Sequence, residues 1–576
     1  MIVAALGYAL IASAIGWAAV FALGDELIGK DDRVRLCAFW FILTVILFTM
    51  PSGLLFLLVL ALALGIMGAR DDVDPIALGL FALFCVPAAG LAIRDLPGIN
   101  FLLNFTAALI VSMVIFMPSV VRGGGARAAP GQAVGAPAKP GKRELRIIDL
   151  AVFAMFVLLI ALEARGANFT SALRNATEWT FRLLFPYLAF SRAITTPERL
   201  DRVLRTFVTA IVVAGVVAFA ISIIHWQFYD VPEGRLFDWR PPRLRYRLGL
   251  MRSGGPMGGA PISFGTISMI GVAVAIGLAA TMKTRWKRWL VIAVPVIAVF
   301  ASVSRGPMVG TVLMAIAYQA TKPNPVGALV KNGLIASVFA LPVLLFTGFG
   351  RDLLSLIPGL SEETVGAGSV DYREDLFEIG MRVARKNPLF GRPDYKSDPE
   401  MQALVQGEQI IDIVNTYLSY ALEYGFVTMS VYVFVIASCA ASLFVTLRRL
   451  PANDPSGLRE IGGALFAALS AFAAVVFTTT STTGLLPTFT WIFFGLCVAY
   501  VRVVRAMDAV PAAQAARARP HAPTAPADVP DALPAFREAP EAADEAPRPA
   551  PARSSIGAQT GDFEFVWPPR PAPDRS

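Results

Sequence analysis

The sequence predicts an all-α polytopic membrane protein with about 12–15 transmembrane helices. Two observations carry that expectation. Of 576 residues, 56% are hydrophobic and only 16% charged, with a mean hydropathy of +0.62, whereas soluble chains run at about 45–50% apolar and about 25% charged. The apolar residues also fall in long runs, each close to the roughly 20 residues that cross a bilayer. A soluble enzyme, a disordered chain and a secreted disulfide scaffold are excluded. The four cysteines, Cys37, Cys85, Cys439 and Cys497, all lie inside apolar runs, where free cysteine packs as a small hydrophobe.

In chain order the apolar runs cover about 2–23, 36–50, 52–68, 74–93, 101–121, 147–164 and 178–193. They continue at about 205–225, 261–281, 288–304, 306–321, 333–349, 425–446, 461–480 and 485–502. Pro51-Ser52-Gly53 breaks one long stretch into a hairpin. The 178–193 run holds Arg182 and Pro186 and is read as lying only partly in the bilayer. The first run lacks a basic start and is long for a signal peptide, so a retained helix is expected.

Short-loop Lys/Arg bias sets the sides. Arg127, Lys139, Lys142 and Arg143 mark a cytoplasmic linker, as Lys283, Arg285, Lys287 and Arg288, the pair Lys322 and Lys331, and the pair Arg448 and Arg449 mark cytoplasmic turns. Alternation then places loops 228–260 and 350–412, and the turn at Arg305, on the outer face. The expected organisation is an N-terminal bundle (1–122), a Gly/Ala/Pro-rich cytoplasmic linker (123–146), a second bundle (147–506) containing outer loop 350–412, and a disordered cytoplasmic tail (507–576).

Loop 228–260 sets Arg235, Arg240, Arg243, Arg245, Arg247 and Arg252 against Asp230, Glu233 and Asp238. Such an excess of positive charge on a translocated loop runs against the usual bias. It is explained by an anionic ligand, or by pairing with acids and lipid head groups. Arg252 opens RSGGPMGGAP, which leads into a helix near Pro261; glycines admit close backbone approach and a helix N-terminus favours an anion. Arg305 repeats the pattern, alone among apolar residues ahead of Gly306-Pro307. An isolated arginine at that depth is a functional candidate, against an interfacial snorkelling role.

Residues 372–387 read as an amphipathic helix with Tyr372, Leu376, Ile379 and Val383 on one stripe, Asp371 and Glu374 at capping-box spacing, and Pro388 as its stop. Glu378 and Arg382 form an i,i+4 pair, while Arg373 has no acid three or four residues away within the helix. Asp412 and Asn415 then stand three apart at the mouth of an apolar segment; Asp412 acts there as a general base or as a helix cap. Glu423 is a weaker candidate. His225, in IIHWQF, is an alternative base or a packed interfacial histidine.

Taken in order, Arg252-Ser253-Gly254-Gly255-Pro256, Ser304-Arg305-Gly306, Tyr372-Arg373, Asn387-Pro388-Leu389-Phe390-Gly391, Asn415-Thr416-Tyr417-Leu418 and Glu423-Tyr424-Gly425 resemble the O-antigen ligase and polymerase superfamily of bacterial membrane glycosyltransferases. The resemblance covers about residues 250–430. It implies a GT-C-like, multi-pass inner-membrane enzyme with its active site facing the periplasm, working without metal or cofactor. The implied donor is an undecaprenyl-pyrophosphate-linked glycan and the acceptor a glycan or lipid, with polysaccharide-assembly proteins as partners and no nucleic acid. Arg252, Arg305, Arg373 and Arg382 are then the pyrophosphate-binding candidates, with Arg305, Asp412 and Asn415 catalytic. The family's acceptor-activating His position is Val414 here. This departure favours a polymerase or another acceptor, with Asp412 the nearest group able to take a proton. The alternative reading is a transporter of an anionic solute or lipid-linked sugar.

Overall fold

A computed structural model of the chain describes residues 1–96, 99–122, 143–237, 246–247, 249–258, 260–334, 368–405, 411–452, 454–481 and 484–518. The described elements are nearly all helical. Residues Met1–Ala516 form one compact unit.

The chain opens with α1 (Ile2–Leu23), α2 (Lys30–Thr49) and α3 (Gly53–Gly68). Helix α1 is apolar around its whole circumference, as a lipid-facing helix must be. It buries a small-residue stripe of Ala5, Ala9, Ala12, Ser13 and Gly16. A Cβ on Gly16 would stand 3.0 Å from the Val213 backbone, so glycine permits the close helix contact on which membrane packing relies. Trp40 donates its indole N–H to Ser13 Oγ at 2.9 Å, tying α2 to α1.

The expected span over 74–93 is not one helix. Asp74 caps α4 (Pro75–Ala82), and the chain then pairs β1 (Gly90–Leu96) with β2 (Ile99–Thr106) antiparallel. Pro87 blocks a helix from running on, and Gly90 disfavours its restarting. Helix α5 (Ala107–Val121) follows with a π turn at Ser112–Phe116. Next come α6 (Arg143–Glu163), α7 (Phe169–Trp179) and α8 (Phe185–Ala193). The 178–193 run is broken by a second π turn, Thr180–Leu184, where Pro186 withdraws a backbone donor.

Helix α9 (Pro197–Ile224) is largely buried, packed by α1, α4 and later helices. Beyond it lie α10 (Asp230–Leu236), the short hairpin β3 (Tyr246–Arg247) and β4 (Leu250–Met251), α11 (Pro261–Ala279), α12 (Arg285–Ala301) and α13 (Arg305–Ala320). The series closes with α14 (Gly368–Lys386), α15 (Pro399–Gln402), α16 (Thr416–Arg449), α17 (Leu458–Val475) and α18 (Leu486–Ala518). Helix α18 runs well past residue 507, where a disordered tail was expected to begin.

Among the described residues, seven helices are long and apolar enough to cross a membrane: α1, α6, α9, α11, α16, α17 and α18. The shortfall against the run count has local causes. Helix α2 starts with five charges in six residues, Lys30 to Arg35, and α3, α12 and α13 have 16, 17 and 16 residues. The linker 123–142, most of the run at 333–349 and the tail beyond 518 lie outside the described residues.

Candidate active site

The glycine loop and the Arg305 turn are braced against one another. Ser222 of α9 donates its hydroxyl to the carbonyls of Met251 (2.8 Å) and Ala301 (2.9 Å), and the Ser253 N–H also reaches Ala301 (3.1 Å). Gln227 Nε2 donates to the Arg252 carbonyl at 3.2 Å. The loop folds back so tightly that a Cβ on Gly254 would sit 1.8 Å from the Gly258 carbonyl oxygen. Its Arg252 guanidinium donates to Ser304 Oγ at 3.2 Å, next to Arg305 in sequence. Val303 adopts φ of +43°, an unusual conformation for a β-branched residue that the surrounding serine bonds enforce. Helix α13 starts at Arg305 itself, two residues before Pro307.

Helix α14 supplies the opposite wall. Arg373, Glu374, Leu376 and Phe377 line a cavity of about 350 Å³ with Val414, Asn415, Leu418, Phe477 and Thr478. Thr478 belongs to both sides, because its Oγ1 lies 3.4 Å from where a Gly306 Cβ would be. Burial, and after it the Arg373 charge, hold the Arg305 pKa below its ordinary value. Burial pulls the Arg373 pKa below its ordinary value, and the nearby Asp412 charge opposes that shift.

Asp412 and Asn415 have different roles. Asn415 is buried and caps α16, its Oδ1 accepting from the Leu418 N–H at 3.1 Å. Asp412 is exposed, and its backbone is clamped by the Tyr372 hydroxyl, which accepts from the Asp412 N–H (3.1 Å) and donates to its carbonyl (3.2 Å). The adjoining Thr416 bonds through its N–H and hydroxyl to the 476–481 segment, including Thr479 at 2.7 Å. Phe377 and Phe477 stand 6.1 Å apart beside the cavity.

The motif 387–391 and the Glu423-Tyr424-Gly425 motif make one structural joint. Helix α16 breaks at Gly425, with φ 83° and ψ 171°, and the freed Phe426 N–H bonds the Pro388 carbonyl at 2.7 Å. Arg392 N–H returns a bond to Leu422 (2.8 Å), and Arg165, in the turn after α6, ties the Gly391 and Glu423 carbonyls together at 3.2 Å each. Glu423 thus serves the joint through its backbone.

Arg252, Arg305, Arg373, Asp412 and Asn415 are therefore neighbours in one region. Arg382 is not. It lies nine residues beyond Arg373, two and a half helical turns on, and faces away. There it binds Glu378 (2.7 Å) and Glu400 (3.0 Å). Helix α14 begins at Gly368, so Asp371 lies inside it rather than at its cap. His225 is exposed at the end of α9 in a left-handed conformation, its ring 5.4 Å from Tyr246.

Arg235 donates to the carbonyls of Phe48 (2.7 Å) and Met50 (2.8 Å), and among the described residues no ion pair joins it to an acid of its loop. Arg240, Arg243, Arg245 and Asp238 lie outside the described residues. Burial pushes Asp230 up to about 6, and burial together with the Asp230 charge pushes Glu233 up to about 9. Thr478 and Arg165 carried no sequence signal, and Tyr372 was marked only as part of a stripe and a motif, since their importance lies in what they meet. Among the described residues no group of three or more His, Cys, Asp or Glu side chains could hold a metal ion.

Residues 256–433, under a third of the chain, match the family model described as O-antigen ligase. The match supports the superfamily resemblance and an O-antigen-ligase-like, glycosyltransferase-like function in polysaccharide biosynthesis. It spans Arg305, Arg373, Asp412 and Asn415 but neither Arg252 nor Thr478. No curated protein matches the chain.

Proposed function

We propose that the protein is a glycosyltransferase of the bacterial inner membrane that transfers or polymerises undecaprenyl-pyrophosphate-linked oligosaccharide units at the periplasmic face. The product is a surface polysaccharide, either exopolysaccharide or lipopolysaccharide, and the C-terminus is cytoplasmic. One observation carries the reading: arginines distant in sequence gather beside an exposed carboxylate. Arg252 reaches the Arg305 turn through Ser304, the Arg373 charge bears on Arg305, and the Asp412 charge bears on Arg373.

In the reaction, the acceptor hydroxyl attacks the anomeric carbon of the donor sugar. The bond from that carbon to the pyrophosphate oxygen breaks, and undecaprenyl pyrophosphate leaves. Asp412 takes the hydroxyl proton. Arg252, Arg305 and Arg373 neutralise the charge that grows on the leaving group. Fixed guanidinium groups suit this task because their bidentate forks match phosphate geometry. Arg382 has no part in this arrangement. Val414 at the family's histidine position favours a polymerase, with polysaccharide-assembly proteins as its partners.

The test is complementation of a strain lacking the gene with wild type, Arg305→Ala and Asp412→Asn at equal protein level. Surface and released polysaccharide and undecaprenyl-linked intermediates are read together. Loss of long polymer with accumulation of single lipid-linked repeats identifies a polymerase. Retained free polymer with none attached to lipid identifies a ligase. Unchanged glycans in every strain refute the reading.

A further inference from the structure

Under the glycine loop that carries Arg252, three buried oxygens have no hydrogen-bond partner among the described residues. Gln227, Asp230 and Glu233 follow one another at three-residue spacing into and along α10. Gln227 is 6% and Glu233 2% exposed. Gln227 commits its amide nitrogen to the Arg252 carbonyl. Its Oε1, Asp230 Oδ1 and Glu233 Oε2 are all buried without a hydrogen-bond partner. Arg235, the one basic residue of α10, is spent on the carbonyls of Phe48 and Met50. Asp230 and Glu233 are near enough for the charge of one to bear on the other. The Glu233 carboxylate is pressed against the loop backbone, with both oxygens 2.7 Å from where a Gly258 Cβ would stand.

Three acceptors without a donor are costly to bury, and buried polar groups in folded proteins are nearly always satisfied. A cation is the kind of ligand that suits such oxygens. Carboxylates, an amide carbonyl and neighbouring backbone carbonyls are the oxygen donors that calcium takes in flexible geometry. Magnesium instead demands a strict octahedron and keeps its waters. Two carboxylates also balance a double positive charge.

We propose that Gln227, Asp230 and Glu233 form a binding site for a hard divalent cation of the calcium type, which fastens α10 to the loop 252–258 and so fixes Arg252. The ion is structural: it holds the loop and takes no part in bond making. The site was invisible in the sequence because two acids and an amide three residues apart occur on ordinary helix faces, without metal-ligand spacing.

The test uses the full chain, purified in phospholipid-free detergent and stripped with EDTA. CaCl2 and MgCl2 are titrated by calorimetry and thermal unfolding, and Tb3+ is followed by luminescence sensitised through Trp226 and Tyr229. The expected result is one saturable Ca2+ per chain that raises the unfolding midpoint, with weaker Mg2+ binding. Glu233→Gln and Asp230→Asn should each weaken Ca2+ at least about tenfold, while Asp398→Asn, altering a carboxylate elsewhere, should not. Glu233→Gln replaces a carboxyl that burial keeps protonated with a neutral amide of the same size, so in EDTA it should unfold close to the wild-type midpoint, which shows the variant folded. No saturable Ca2+ binding, or binding undiminished in both variants, overturns the proposal.

Discussion

Gly425→Ala should unseat the joint on which the candidate site rests. At φ 83° and ψ 171°, Gly425 occupies a region open essentially to glycine alone, costing any other residue on the order of 1–3 kcal/mol. Space is the second obstacle. A Cβ there would lie 2.2 Å from the Leu389 carbonyl oxygen, 2.4 Å from its carbon and 2.5 Å from the Phe390 nitrogen. These are backbone atoms, so no side-chain rotation relieves the clash, and the 388–391 turn must move off α16. That movement strains the Phe426–Pro388 and Arg392–Leu422 bonds, each worth about 1 kcal/mol. The combined loss should be at least about 3 kcal/mol, in the range that marks a severe lesion. Thermal unfolding and monodisperse yield of the detergent-purified chain measure it, with Gly7→Ala as a control because a Cβ there meets nothing within 4 Å. Wild-type yield and unfolding midpoint in Gly425→Ala would refute the reasoning.

Arg373→Ala should lower glycan assembly on the order of 10²–10³-fold, whereas Arg382→Ala, facing away onto Glu378 and Glu400, should stay near wild type; equal losses would contradict the division of α14 into two faces. Tyr372→Phe leaves the Asp412 backbone unclamped. At about 1 kcal/mol per hydrogen bond, it should reduce turnover several-fold without changing protein level. Asp398 and Glu400 have pKa values held below the usual range, Asp398 first by its bond to Lys386, Glu400 by those to Lys386 and Arg382. A depressed carboxylate stabilises above its unfolded pKa and loses that contribution as pH falls through its folded one. The α14–α15 contact should therefore weaken below about pH 4, read as faster proteolysis within 386–400 in wild type than at pH 7. An Asp398→Asn, Glu400→Gln double variant should show less change between the two pH values.

The sequence exposed what depends on local pattern. Hydropathy alone marks α1, α9, α11 and α16, and the stripe Tyr372–Leu376–Ile379–Val383 marks α14. Local pattern failed where the chain's own breakers decide. The 74–93 run is apolar enough to span, yet α4 stops at Ala82, Pro87 keeps it from resuming and a strand pair starts at Gly90. At the site, Arg252, Arg305 and Arg373 were legible as isolated charges near apolar segments. Their assembly was not, because Ser304 and Thr478 read as ordinary polar residues of apolar surroundings. The 387–391 and 423–425 motifs were legible as motifs, but only the fold reveals that they grip one another rather than a ligand.

That distinction bears on which motif residues belong to chemistry. Gly391 and Gly425 meet backbone to backbone, and Arg165 bonds carbonyls of both segments; such a joint cannot also close on a substrate. Its consequence is positional. The break at Gly425 lets the first part of α16 leave the line of the membrane-crossing part, carrying the Asn415 cap toward the 476–481 segment, where Thr416 docks on Thr479. The same segment contributes Thr478 beside Gly306 and Arg373. A residue range beyond the family match thus joins the Arg305 turn to the helix bearing Arg373. Variation in 476–481 should therefore alter the spacing of two guanidinium groups that have no covalent reason to stay together.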